Sequence, residues 1–548
     1  MKRVFELLAQ SLQAHGVDQL FGLIGDGNLF MVDAWVRGGS GQYTGCAHEA
    51  SAVLAALGYA QVSGRTGVAS ITHGPALTNA ISALVEGVKG SIPMVLLCGD
   101  TPPGDLHHLQ RIDQREMVKA AGAGFIEMRA PETASIDLAR AFRRAALERR
   151  PIVFNMRVDL QWRETDASPV VLPIPSVGNA VVEGEDLDRA LGMIASAKRP
   201  FILAGRGAIA PEARDAILTL AKRIEAPVAT TLKASGLFSG EPFNLGVLGT
   251  LSRPAALDAI SRSDCVIAFG ASLTSYTLGG GHGHDGRLLT GKRVIQIMGD
   301  ARENERRTEH DILLIADPAL MANRIVEELD RAEIPPSRNA DQDLAKALRE
   351  EAETWTQPLP FKRTASGIID YVPALRRINQ VLPADRVLVT DAGRFIIAAW
   401  RNLPVTDPRH FVMTLNFAAI GFGLGEAIGA ARAAPDKLTV LVAGDGGFSM
   451  GGLTELATVV REKLNVAIIL CNDGSFGAEY IQFTAKQMSP AMSMTNPPDF
   501  TSIAKATGLE ACCVTDPAEL DAALALLAKG AGPRLVELRL DPDFIPVD

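Results

Sequence analysis

The chain has 548 residues, 47% apolar and 21% charged, with a formal net charge of −9. That length suits several domains of about 100–200 residues each. The acidic balance argues against nucleic acid or an anionic membrane surface as the main partner. No apolar run approaches the roughly 18–20 residues of a membrane span, and the six cysteines, without a CxxC pair, signal neither a zinc site nor a disulfide framework.

The N-terminus passes directly into an amphipathic helical pattern, with Val4, Leu7, Leu8 and Leu12 on one face, and Glu6 interrupts what a signal peptide would keep apolar. A reduced, cytoplasmic protein is the simplest expectation. Strand patterns then alternate with helical ones. Strands are expected at 19–24, 44–49, 67–72, 93–100 and 151–156, with an Ala-rich helix over 50–61. Residues 163–182, with prolines at 169, 173 and 175, read as extended linker. A second block has strands near 200–205, 228–231, 265–270 and 293–297, and the polar stretch 331–365 reads as a second linker. The fold class is therefore α/β, with three doubly wound parallel-sheet domains at 1–165, 183–330 and 366–540.

The third block carries the most informative stretch. An apolar strand at 438–443 runs into Gly444-Asp445-Gly446-Gly447, a helix follows from 453 to 463, and a second apolar strand ends at Asn472-Asp473-Gly474. Polar oxygens thus stand at the carboxyl ends of two parallel strands, where open α/β sheets bind ligands. Asp445 offers a carboxylate, Asn472 an amide oxygen and Gly474 a backbone carbonyl, a hard-oxygen set suited to magnesium. The glycines let backbone N–H groups approach a phosphate. Taken alone, GDGG is equally compatible with an ordinary turn after a strand.

The whole unit, GDG followed by a helix, an apolar strand and Asn-Asp-Gly, resembles the thiamine diphosphate motif of the acetolactate synthase and pyruvate decarboxylase superfamily. The resemblance extends over essentially the whole chain. It implies a domain that binds the cofactor pyrimidine, a central domain and a domain that binds the diphosphate and magnesium. It places Glu49 where the family's catalytic glutamate hydrogen-bonds the pyrimidine N1′ and so helps the thiazolium C2 lose its proton, a role that wants burial and a raised pKa. In isolation, Glu49 could equally be a carboxylate at a helix N-terminus. His73-Gly74-Pro75-Ala76-Leu77-Thr78-Asn79 resembles the family's Gly-Pro-Gly-x-Thr-Asn turn, with Ala76 replacing a glycine and His73 where many relatives have Ser. The stretch Asp391-Ala392-Gly393-Arg394 resembles the turn near the diphosphate, with Arg394 in place of Gln. Ala418 to Leu424 resembles the segment whose bulky residue, here Ile420, supports the bent cofactor. Gly447 replaces a frequent Ser. The expected cofactor-binding residues are Glu49, Asp391, Gly393, Ala418, Ile420, Gly444, Asp445, Gly446, Gly447, Asn472, Gly474, Ser475 and Phe476. Asp445, Asn472 and Gly474 are the expected metal ligands.

Subfamily features point both ways. Gly25-Asp26-Gly27-Asn28-Leu29 resembles the Gly-Asp-x-Asn-Leu loop of 2-oxo acid decarboxylases, and His107-His108 resembles their paired histidines, though displaced by a few positions. Leu109-Gln110 resembles a synthase segment whose Gln reaches the active site, and residues 245–249 resemble part of the synthase central domain. FAD binding by that domain is possible in the family, but no residue set here decides for it. The tract from Gly279 to His284 reads as a loop rather than a metal site. Glu49, Asp26, His73, His108 and Gln110 are the expected catalytic residues. The expected reaction is cleavage or formation of a C–C bond in a 2-oxo acid, as in decarboxylases and carboligases. The alternatives are a lyase or hydrolase of a 2-hydroxy ketone or cyclic diketone, and a non-catalytic regulatory relative. The resemblance also implies a homodimer, or a dimer of dimers, with each site shared between subunits, and the helix over 50–60 is a candidate for that interface.

Overall fold

The computed structural model describes residues 1–543 apart from 40, 175–179, 275–276, 279–286, 301–310, 338–341 and 363–366. Pro175 and the tract from Gly279 to His284 lie outside the described residues. The chain divides into two units, one from Met1–Pro175, Pro360–Ala399 and Val412–Val547, the other from Ser176–Leu359 and Trp400–Phe411.

The first unit contains two six-stranded sheets. In spatial order the N-terminal sheet runs Gln42–Gly45, Gln19–Gly22, Gly67–Ile71, Met94–Asp100, Pro151–Arg157 and Gly124–Glu127, all parallel. The other runs Phe411–Met413, Val387–Thr390, Thr439–Gly444, Val466–Asn472, Arg534–Arg539 and Glu510–Val514. Numbered along the chain, both have the order 2-1-3-4-6-5. In each, the order reverses between the first and third strands, and ligands bind open α/β sheets at such switch points, outside the carboxyl ends of the strands. The inner strands are buried on both faces, Val466–Asn472 completely, which explains their continuous apolar runs.

The Ala-rich helix Glu49–Ser63 is buried against helix Gly423–Ala433 of the same chain. Small residues permit backbone-to-backbone approach. A Cβ added at Gly429 would fall 1.8 Å from the Ala55 carbonyl oxygen, and one at Gly58 would fall 2.1 Å from that of Glu426. This corrects the sequence-based expectation for the helix, because its small-residue face is occupied within the chain. Two buried carboxylates cross the same boundary. Glu455, on helix Leu453–Arg461, accepts the backbone N–H groups of Ala47 and His48 at 3.0 and 3.1 Å. Glu86, on helix Pro75–Gly90, accepts those of Asn416 and Phe417 at 3.0 and 2.6 Å and the Asn416 amide at 2.6 Å.

The second unit has one parallel sheet, in the spatial order Asn244–Val247, Val228–Thr230, Pro200–Ala204, Cys265–Phe269, Arg293–Met298 and Ile312–Ile315. Along the chain this is 3-2-1-4-5-6. The stretch expected to be a second linker instead contains helix Gln342–Thr356. Ala345 and Leu348 are buried, Glu351 accepts the Ala255 N–H at 2.8 Å, and the Trp355 indole donates to the Arg401 carbonyl at 3.0 Å. Its charged face, on the side away from those contacts, made the segment look like linker. In the first linker, Glu164–Thr165 pairs antiparallel with Lys2–Arg3. Among the described residues no helix is long and apolar enough to cross a membrane.

Candidate active site

At the switch point of the N-terminal sheet, the residues following strands Gln19–Gly22 and Gly67–Ile71 are drawn together. The Gly25–Asn28 turn closes on itself, with the Asn28 carbonyl oxygen of the side chain accepting the Gly25 N–H at 2.8 Å. Thr72 Oγ1 accepts the Gly27 N–H at 3.0 Å and lies 3.0 Å from His73 Nδ1. The hydroxyl oxygen has a second lone pair besides the one taken by Gly27, so the His73 tautomer decides which of the two side chains donates. His73 is only 2% exposed, and among the described residues no group meets hydrogen-bond geometry at Nε2, although the Gln110 side chain lies close enough to act on the ring. The His108 ring lies 5.3 Å from that of His73. Burial, then the neighbouring His108, push the His73 pKa below its ordinary value; Asp26, Asp100 and Gln110 act in the opposite direction. Asp26 is exposed and Gln110 half-buried. Gly74, at φ +60, accommodates the 110 backbone, since a Cβ there would fall 2.2 Å from the Gln110 carbonyl. Four expected residues, Asp26, His73, His108 and Gln110, therefore form one cluster.

Glu49 begins the helix that follows strand Gln42–Gly45, and His48 caps that helix by accepting the Ala50 N–H on Nδ1 at 3.1 Å. Glu49 is half-buried and accepts from the Asn79 amide at 3.0 Å. Beneath the His73 cluster is a network that sequence reasoning missed. The buried Gln114 accepts the Gly74 N–H at 2.9 Å and donates to Gly99 O and Asn155 Oδ1, and Asn155 donates to Asp100 at 2.6 Å. Nothing local in the sequence distinguishes a buried amide such as Gln114 from an exposed one.

The second switch point lies between strands Val387–Thr390 and Thr439–Gly444. Asp391 is buried and accepts from the backbone of Ala392 at 2.8 Å, from that of Gly421 at 3.0 Å and from the Thr414 hydroxyl at 3.2 Å. Burial raises its pKa to about 6 against the pull of those hydrogen bonds. Its carboxylate thus holds the segment with Ala418, at φ +64, and Ile420 onto the sheet edge. A Cβ at Gly447 would fall 2.9 Å from the Gly421 nitrogen, so glycine there keeps a backbone-walled cradle. Gly393 and Gly444 lie against the Phe395 ring, and Gly446 against that of Phe476.

Asp445 is 2% exposed and accepts from the Thr495 hydroxyl at 3.1 Å. Burial, then the charge of Asp473, push its pKa up to about 7. Asp473 is paired with Arg394 at 3.0 Å and accepts from the Ser475 hydroxyl and N–H at 2.8 and 2.9 Å. Ser475 is therefore turned toward Asp473. Arg394 also donates to the Pro542 carbonyl and lies over the Tyr480 ring. Asn472 Oδ1 accepts the Gly474 N–H at 3.1 Å, and Gly474, at φ +69, accepts the Thr495 N–H at 2.8 Å. A carbonyl has two lone pairs, so that contact leaves one for another partner. Among the described residues Asp445 has no counter-charge, and this buried carboxylate stands beside an amide oxygen and a carbonyl. This donor set fits a hard divalent cation. Among the described residues no group of three or more His, Cys, Asp or Glu side chains converges as a metal site, so this set relies on one carboxylate.

Comparison with known proteins gives three family matches in chain order. Residues 2–117 match the N-terminal TPP binding domain of thiamine pyrophosphate enzymes, residues 187–325 the central domain and residues 391–538 the C-terminal TPP binding domain. The large subunit of acetolactate synthase isozyme 2 from Escherichia coli is 28% identical over 544 residues, covering 97% of this chain and 95% of the relative. A probable 2-ketoarginine decarboxylase from Pseudomonas aeruginosa is 28% identical over 552 residues, covering 97% and 93%. A sulfoacetaldehyde acetyltransferase from Rhodobacter capsulatus is 28% identical over 497 residues, covering 86% and 82%.

Proposed function

Because the chain belongs to the thiamine diphosphate-dependent enzymes, we propose that it cleaves or forms a C–C bond in a 2-oxo acid, as a decarboxylase or carboligase of acetolactate synthase type. The observation that carries this reading is the buried His73 Nε2, without a hydrogen-bond partner among the described residues, at the first switch point. Protonated there, the ring would be a donor withdrawn from water, which favours an anionic acceptor, and a 2-oxo acid carboxylate supplies one. His108 and Gln110 bring further donors to the same edge, and Asp26 brings a carboxylate able to carry a proton.

Bound thiamine diphosphate would supply a carbon nucleophile and an electron sink. Asp445 and Asn472 would hold magnesium through side-chain oxygens and Gly474 through its carbonyl. Backbone N–H groups around Gly446 and Gly447 would face the diphosphate, and Ile420 would support the bent shape. Glu49 would hold a proton opposite the pyrimidine N1′, with Asn79 fixing its carboxyl.

Glu49 belongs to one sheet and Asp445 to the other, and in the proposed assembly each site takes Glu49 from one subunit and Asp445 from its partner. Exposed apolar side chains support this. Ile24, Leu106 and Leu109 flank the His73 cluster in sequence, and Met450 and Phe476 follow closely on Asp445 and Gly474. A large isologous interface would cover such surfaces. Two experiments test the proposal. A panel of 2-oxo acids, with the cofactor and magnesium, should release carbon dioxide from at least one; no release from a protein shown to bind the cofactor would overturn the substrate class. Mixing inactive Glu49→Gln with inactive Asp445→Ala chains should restore part of the activity, because one site in each mixed dimer keeps both residues. No recovery despite demonstrated subunit exchange would overturn the shared site.

A further inference from the structure

Asn472 can serve a metal only through Oδ1, yet an amide fits its pocket in either of two orientations related by a flip. The structure shows what removes that freedom. Asn472 Nδ2 donates to Glu537 Oε1 at 2.7 Å. Glu537 is 2% exposed and lies on strand Arg534–Arg539, beside Val466–Asn472 in the sheet. Its other oxygen accepts from the buried Thr501 hydroxyl at 2.9 Å, and Arg539 lies 3.5 Å from Oε1. An ionised carboxylate accepts hydrogen bonds and cannot donate them. The NH₂ end of Asn472 is therefore committed to Glu537, and Oδ1 points the opposite way, toward the Gly474 N–H.

The geometry points to Glu537 as a positioning residue for the metal centre, one that selects the amide orientation in which Asn472 offers oxygen to the cation. This rests on the magnesium reading above. Glu537 touches neither cation nor substrate in this scheme; it acts through Asn472. Partners placed behind a metal ligand typically contribute about 10–100-fold to metal affinity.

The test measures magnesium affinity by calorimetry at saturating thiamine diphosphate, without turnover. Glu537→Leu removes the acceptor and should weaken magnesium binding about 10–100-fold. Glu537→Gln fills the same volume with an amide that can turn either end toward Asn472, so it should weaken magnesium binding by about tenfold. A purely structural role for Glu537 would lower stability and leave the magnesium affinity of the folded protein unchanged. Unchanged affinity in either variant, once shown to be folded, would overturn the inference. If the parent protein itself failed to bind cofactor and magnesium, the failure would instead fall on the functional reading. The Glu537→Gln arm decides the matter even where Glu537→Leu does not fold.

Discussion

The crossing of helices Glu49–Ser63 and Gly423–Ala433 makes one substitution act with opposite signs at two places. Gly429→Ala introduces a methyl 1.8 Å from the Ala55 carbonyl oxygen, where real Cβ contacts do not fall below 3.0 Å. The helices must therefore part locally by about 1.2 Å, and the obstacle is backbone, which cannot rotate away. Overpacking of this kind costs about 1–3 kcal/mol, with the upper part of the range expected here. Alanine returns about 1 kcal/mol through helix propensity, so the net loss should be about 1–2 kcal/mol. Gly192, in helix Glu185–Ser196 of the other unit, has open space around the same added atom, so Gly192→Ala should gain about 1 kcal/mol. Amide hydrogen exchange, resolved by peptide, measures each helix separately in a multidomain chain. Exchange in both crossing helices should accelerate about 5–30-fold in Gly429→Ala, and exchange around Gly192 should slow in its variant. Equal protection in the parent and Gly429→Ala proteins would refute the close-approach argument.

Asp445→Ala should abolish magnesium-dependent binding of thiamine diphosphate; unchanged cofactor affinity in a titration would remove Asp445 from the metal site. Glu49→Gln should leave the fold intact and slow C2-proton exchange of the bound cofactor, followed by NMR, by about 10²–10⁴-fold. His73 has a pKa depressed by burial, so it stays neutral at pH 7, and any stability it contributes through this depression is present above pH 6.5 and lost as pH falls through the lower folded value. His73→Ala should lower turnover more than it lowers cofactor affinity; an unchanged rate in that variant would remove His73 from the substrate site.

What could be read from the sequence follows burial. The inner strands were legible as apolar runs because both faces are covered. Within the three six-stranded sheets, the strands left unnamed were Gly124–Glu127, Asn244–Val247, Ile312–Ile315, Phe411–Met413, Glu510–Val514 and Arg534–Arg539, and all but the last lie at sheet edges. Arg534–Arg539 escaped notice because two of its charges, Arg534 and Glu537, are buried with partners from other elements. The helix Gln342–Thr356 was hidden by its charged face. In the site, the convergence of Asp26, His73, His108 and Gln110 was anticipated from their motifs. Asp391 differs: placed near the diphosphate by resemblance, its carboxylate is occupied by backbone N–H groups and shapes the segment carrying Ile420. The Gln114–Asn155–Asp100 network was not legible, because its members become neighbours only when distant strands pair.

Glu455 and Glu86 explain why the two sheets of the first unit must dock before either ligand edge is set. A buried carboxylate is costly unless donors surround it. Neither finds them on its own sheet. Glu455 takes the N–H groups of Ala47 and His48, fixing the turn that delivers Glu49. Glu86 takes those of Asn416 and Phe417, fixing the segment that leads to Ile420. Each domain thus supplies the counterpart for the other's ligand-bearing loop. Separating the sheets would strand both carboxylates and release both loops, so the positions of Glu49 and Ile420 are properties of the docked pair. The backbone contact at Gly429 brings the sheets close enough for both grips to close, and the need for glycine there and the placement of Glu49 have the same physical origin.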